Sequence, residues 1–313
     1  MEKSNNLRSS VYLSITAIIW GVAFVFQSMG NDSMEPFSFT ASRYFLGFMF
    51  LLPILLIKYF HPRFLADSDE IPLKKVPKLL TVIGGIMCGL ALGSATVFQQ
   101  YGLKYTSVGK AGFITTLYII LTPIFGLFLR RRCRFTVWIG AFAAMCGMYL
   151  LCVKDGFYIE FGDLLVFICA VLFSVHIMLI DFFAPKTNGV LLSCIQFLVS
   201  SVTCGVFAFI VEQPTFDQLQ SALIPILYTG VMSSGVAYTM QILGQRNFNP
   251  TVAAMIMSFE SVISAVAGFF AWQWGFLTQD QSLSLLQLLG CVIVFAAVIF
   301  VQLPIGKIKR SGD

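Results

Sequence analysis

Residues 251–271 read TVAAMIMSFESVISAVAGFFA, twenty-one positions with a single charged residue, Glu260, tenth in the run. A hydrocarbon core ~30 Å thick needs about 20 apolar residues wound as an α-helix, so a run of this length has what a spanning helix requires. Barrel strands are shorter, ~10 residues, and alternate with period two, which this run does not. It is read as a transmembrane helix with a carboxyl group close to the bilayer midplane.

Working outward, nine similar runs fall at 11–30, 37–57, 79–101, 110–129, 135–153, 163–183, 190–211, 221–243 and 283–303, with short connections. The expected fold is an all-α membrane protein of ten transmembrane helices. The whole chain agrees: of 313 residues 58% are hydrophobic and 11% charged, and the mean hydropathy is +0.85, far from the composition of water-soluble domains. A soluble enzyme is excluded first. Residues 1–30, with Lys3 and Arg8 ahead of an apolar stretch, read as a first spanning helix rather than a cleaved leader, because the run contains Trp20 and lacks a small-residue exit.

Positive charge is retained in cytoplasmic loops, and its partition here is lopsided. With both termini inside, the inner side takes Lys3, Arg8, the 58–78 loop, Arg130 to Arg134, Lys186, Arg246 and the tail from Lys307, while the outer side holds only Lys104, Lys110 and Lys154. Topology accounts for these clusters, and a net charge of +5 is small for a nucleic-acid binder, so no nucleic-acid partner is expected. The eight cysteines include no C-x-x-C pair and mostly sit mid-helix as small hydrophobes. Neither a disulfide, a metal nor a cofactor is expected.

The two halves of the chain match weakly. At an offset of 153, Arg43-Tyr44 meets Gln196-Phe197; at 142, Gly93 meets Gly235, Gln99 meets Gln241 and Tyr118 meets Glu260; at 150, Gly140 meets Gly290. The expected organisation is a terminus at 1–10, five-helix repeats at 11–153 and 163–303, and a second terminus at 304–313. An odd number of helices per repeat makes the second copy enter the membrane from the opposite face, and inverted repeats of this kind support alternating access to a site between them.

Several short motifs occur in order along this frame: Ile19-Trp20-Gly21, Ser42-Arg43-Tyr44-Phe45, Tyr105 to Ala111, Phe259-Glu260-Ser261-Val262, and Leu283-Ser284 with Gln287-Leu288-Leu289-Gly290. In these the chain resembles the EamA-type transporters of the drug/metabolite transporter superfamily over nearly its whole length. The resemblance implies carriage of amino acids, vitamins, choline-like cations or other metabolites, and export as the direction. Arg130-Arg131, Asp280-Gln281 and Ser261 depart from family habits of Gly-Glu before the fifth and tenth helices and Pro after the ninth-helix Glu.

Charged groups at mid-membrane cost ~2.5–3.5 kcal/mol on insertion scales, so each must be paired, hydrated or snorkelling. Glu260 shares its helix face with Ser264 and Gly268, small residues that suit the bundle interior. It is read as a carboxylate that binds a proton or a cationic part of the cargo, against the alternative of a packing role held by Arg43 or a helix end. Arg43 is either an anchor for a substrate carboxylate or phosphate, or a latch to helix ends or to an acidic outer-loop residue within reach of snorkelling; the family resemblance favours the latch. His176 is either a proton relay to Glu260 or a neutral, hydrogen-bonded residue among Leu172, Phe173, Leu179 and Ile180. Trp20, Phe24, Tyr118, Gln99, Gln241 and Tyr238 are candidates for the cavity wall. Gly85, Gly89 and Gly93 form a close-approach face on the third helix, suited to internal packing or to a weak homodimer.

An intramembrane enzyme would need paired carboxylates, a nucleophile with its base, or metal ligands at helical spacing, and the sequence offers none of these patterns. No phosphate-binding loop is visible, so gradients rather than ATP would drive transport. The function expected is a secondary transporter of a small amphipathic metabolite, an amino acid or relative, in a bacterial plasma membrane, with proton coupling through Glu260. A passive channel or lipid scramblase is the alternative.

Overall fold

The computed structural model describes residues 2–61, 71–128, 135–152, 160–246, 248–278, 280–282 and 284–302. The basic cluster Arg130 to Arg134 and Leu283 lie outside the described residues. Ten main helical segments follow in order: α1 (Glu2–Asn31), α2 (Pro36–Phe60), α3 (Lys78–Gly102), α4 (Val108–Phe128), α5 (Phe135–Cys152), α6 (Phe161–Lys186), α7 (Gly189–Glu212), α8 (Leu223–Gln245), α9 (Pro250–Gln273) and α10 (Leu285–Gln302). Among the described residues there is no strand.

Eight of these segments are long and apolar enough to cross a membrane. Against the ten runs expected, α5 and α10 fall short: their apolar stretches are Phe135–Gly147 and Leu285–Ala297. Both helices border residues outside the described set, and they pack on each other.

Local sequence sets the helix starts. Pro36 and Pro250 occupy first-turn positions, where a missing N–H costs nothing. The side chains of Ser107, Asn188 and Asn249 accept from Lys110, Leu191 and Thr251 N–H groups, and Glu160 with Asp163 closes a capping box at the start of α6.

The helices pack in pairs that survive exchange of the two halves. α2 packs on α7, α4 on α9 and α5 on α10; α3 on α6 is matched by α8 on α1, α3 on α7 by α8 on α2, and α1 on α9 by α6 on α4. Close approach makes the α3–α7 contact possible. At Gly89 a methyl group would stand 2.7 Å from the Gln196 carbonyl oxygen, while Gly85 faces Ile195 and Gly93 faces Ser200, so the glycine face of the third helix packs inside the chain.

Two helices are broken at equivalent places. α4 divides at Thr116-Leu117 and α9 at Ser258-Phe259, positions 142 residues apart. At each break a hydroxyl bonds three residues back, Thr116 Oγ1 to Phe113 O at 2.8 Å and Ser258 Oγ to Met255 O at 2.7 Å. The main chain tightens there to i→i−3 bonds, Leu117 to Ile114 and Phe259 to Ile256. Such side-chain competition for carbonyls loosens a helix locally, and broken spans of this kind are placed where a transporter holds its cargo. In α8, Tyr228–Tyr238 is wound as a π-helix, a form that concentrates at functional sites.

One end of the bundle is clasped by charge. Lys104 Nζ bonds Glu35 at 2.5 Å and Lys110 Nζ bonds Asp163 at 2.6 Å, with Thr106 Oγ1 also donating to Asp163. From the end of α7, Glu212 accepts from the N–H groups of Phe37 and Ser38, capping α2, and from Tyr101 Oη. The Lys110 and Glu212 contacts join the first half of the chain to the second.

Candidate functional site

The two breaks meet. Tyr118 and Glu260 are the first residues of the half-helices Tyr118–Phe128 and Glu260–Gln273, and Tyr118 Oη donates to Glu260 Oε1 at 3.0 Å. Glu260 is 3% exposed, buried with α1 pressed against its backbone: a methyl group at Gly21 would stand 2.9 Å from the Glu260 carbonyl oxygen. The Trp20-Gly21 pair thus sets the indole beside the site and lets the two helices close on it.

Both side chains line a cavity of about 30 Å³, room for about two waters. The sequence candidates Trp20, Phe24, Arg43, Gln99, Tyr118, Tyr238, Gln241 and Glu260 all stand in its wall. Trp20 Nε1 donates to Ser233 O at 3.3 Å and its ring lies 4.6 Å from that of Tyr238. Gln99 Nε2 donates to Thr115 Oγ1 at 3.1 Å. Arg43 bonds Gln27 Oε1 at 2.9 Å and Ser233 Oγ at 2.8 Å. It therefore neither pairs with Glu260 nor latches to an outer-loop acid among the described residues.

His176 is not in this wall. It is fully buried behind Tyr238, the ring centroids 6.0 Å apart, and its Nε2 shares a hydrogen bond of 3.1 Å with Gln196 Oε1. The structure thus separates it from Glu260 and gives it the neutral partner that the residue's apolar surroundings called for. Gln196 is the repeat mate of Arg43 and holds a histidine instead of a cavity.

Ala23, Gln27, Thr115, Phe173, Ile177 and Ser233 complete the wall and were not singled out from the sequence. Gln27 had a signal, since Trp20, Phe24 and Gln27 follow the i, i+4, i+7 stripe of one helix face. Ser233 had none, because the π winding of α8 rotates its face away from α-helical register. Buried polar atoms in and beyond the wall lack partners. His176 Nδ1, Gln196 Nε2, Gln241 Oε1 and both polar ends of Gln245 are buried and unbonded, the condition that internal water relieves.

A model of the EamA-like transporter family matches residues 7–153 and again residues 160–303. The chain belongs to the EamA-like transporter family. It is 27% identical to an uncharacterized transporter of Archaeoglobus fulgidus over 310 residues, covering 97% of this chain and 89% of that relative. The uncharacterized transporter YoaV of Bacillus subtilis is 22% identical over 293 residues, with 91% and 93% covered. A protein of known crystal structure superposes with a TM-score of 0.70 at 18% identity, covering 94% of this chain and 96% of the other; that likeness concerns the fold. The EamA-like chain is a multi-pass membrane protein, and its family is one of transporters.

Proposed function

We propose that this chain is a secondary carrier working by alternating access between two inverted five-helix repeats, residues 11–153 and 163–303, with ten membrane spans and both termini cytoplasmic. Its solute is an amino acid or a related amphipathic metabolite, exported across a bacterial plasma membrane, and Glu260 takes up and releases a proton in each cycle. The observation that carries this reading is the Tyr118–Glu260 hydrogen bond, which joins two equivalently broken helices across a polar cavity between the halves. A carboxyl group buried there at 3% exposure faces the cavity rather than lipid, where water or cargo could reach it.

The packing pairs that persist when the halves are exchanged support two related bundles able to trade conformations. The small cavity and the charged clasp at one end support an occluded stage of such a cycle over a passive path, which would be open through the bundle. The test is counterflow. Proteoliposomes loaded with an unlabelled amino-acid mixture should accumulate labelled members of it transiently and saturably. Flux that grows linearly with concentration and shows no counterflow overturns the carrier in favour of a channel or scramblase.

A further inference from the structure

The cavity wall holds a cation that nothing in the wall neutralises directly. Arg43 is 2% exposed, and its hydrogen-bond partners, Gln27 Oε1 and Ser233 Oγ, are both neutral. Its Nε–H is buried with no partner, and among the described residues no ion pair reaches it. The Tyr44 ring, 5.3 Å from the guanidinium carbon, offers only a weak cation–π contact. A guanidinium keeps its proton in proteins, and an unpaired buried charge is strongly unfavourable. Glu260, the other charged group of the wall, is bonded to Tyr118 instead.

We propose that Arg43 is the docking point for a carboxylate of the solute, which completes the guanidinium's planar fork through the unbonded Nε–H. This deepens the carrier reading and rests on it. A carboxylate fits better than a phosphate because, among the described residues, Arg43 is the one basic side chain in the cavity wall, so it balances one negative charge and leaves a dianion in surplus.

Charge balance then ties the solute to the proton. With a monocarboxylate on Arg43, neutrality requires a proton on a Glu260 carboxylate oxygen, taken from water on one side and returned to water on the other. The titratable groups facing Glu260 are Tyr118, Tyr238 and Cys169, with Arg43 across the cavity.

Two matched trios test this with purified protein in lipid nanodiscs: leucine, leucinamide and 4-methylpentanoate, and phenylalanine, phenylalaninamide and 3-phenylpropionate. Wild type should hold the carboxylate-bearing members at least about tenfold more tightly than the amides. Arg43→Gln should erase that preference, and Arg43→Lys should keep part of it. Glu260→Gln should leave the preference for acids in place. Wild type that holds the amides equally well, or holds none of the six compounds, overturns the proposal, as does unchanged preference in Arg43→Gln. The wild-type comparison decides the matter even if a variant fails to fold. Failure of the carrier reading is separate: the acid preference would persist while counterflow is absent.

Discussion

Tyr118 and Glu260 stand 142 residues apart at corresponding places in the two halves, and a 3.0 Å hydrogen bond from phenol to carboxyl joins them. One position supplies a donor and the other an acceptor, so the bond holds the two breaks together while the cavity keeps one acidic and one phenolic wall. Arg43 and its mate Gln196 likewise take different roles, one in the cavity and the other bonded to His176.

Removing the donor leaves a buried carboxyl oxygen unsatisfied. Tyr118→Phe should lower stability by about 1–3 kcal/mol, measured by thermal unfolding in detergent. An unchanged melting temperature would mean that water satisfies Glu260 as well as the phenol does.

Gly21 carries the contact of α1 with the α9 break. Gly21→Ala pushes a methyl group onto Ile263 and to 2.9 Å from the Glu260 carbonyl oxygen. Overpacking of this kind costs about 1–3 kcal/mol, and flux should fall with stability. Gly109→Ala is the control, since its nearest neighbour, Ala265, lies at an ordinary 3.9 Å and that variant should behave as wild type.

The Lys110–Asp163 pair ties the start of α4 to the start of α6. Asp163→Asn weakens this pair and the accompanying bond from Thr106. In a cysteine-free background, a cysteine at Thr115 in the cavity wall should then react faster with a membrane-impermeant thiol reagent applied to the clasped side. Equal rates with and without the substitution would show that the clasp does not close that end.

Much of the site was legible because helical spacing is a strong signal. Glu260 among Ser264 and Gly268 pointed inward from sequence alone, and Trp20 and Phe24 fell on the stripe that does line the cavity. The breaks were hidden, because Thr116 and Ser258 are ordinary hydroxyl residues inside apolar runs and only their back-bonding to Phe113 and Met255 reveals what they do. Arg43 was ambiguous for a physical reason: a long side chain reaches a loop or a cavity equally well, and the helix that decides it, α8, is wound out of register. His176 was readable in kind but not in partner, since Gln196 comes from another helix.

His176 should therefore matter for packing more than for protons. His176→Gln, which offers Gln196 another amide partner, should leave the pH profile of flux unchanged. Loss of pH dependence in this variant would return His176 to the relay that its position behind Tyr238 argues against.

The central claim is that Glu260 couples solute movement to protons. Its most direct measurement is uptake of labelled amino acids into proteoliposomes across a range of imposed pH gradients, comparing wild type with Glu260→Gln. The account predicts that wild-type flux follows the gradient and that the variant, still folded and able to bind solute, does not. A Glu260→Gln protein whose flux responds to the gradient as fully as wild type would contradict it.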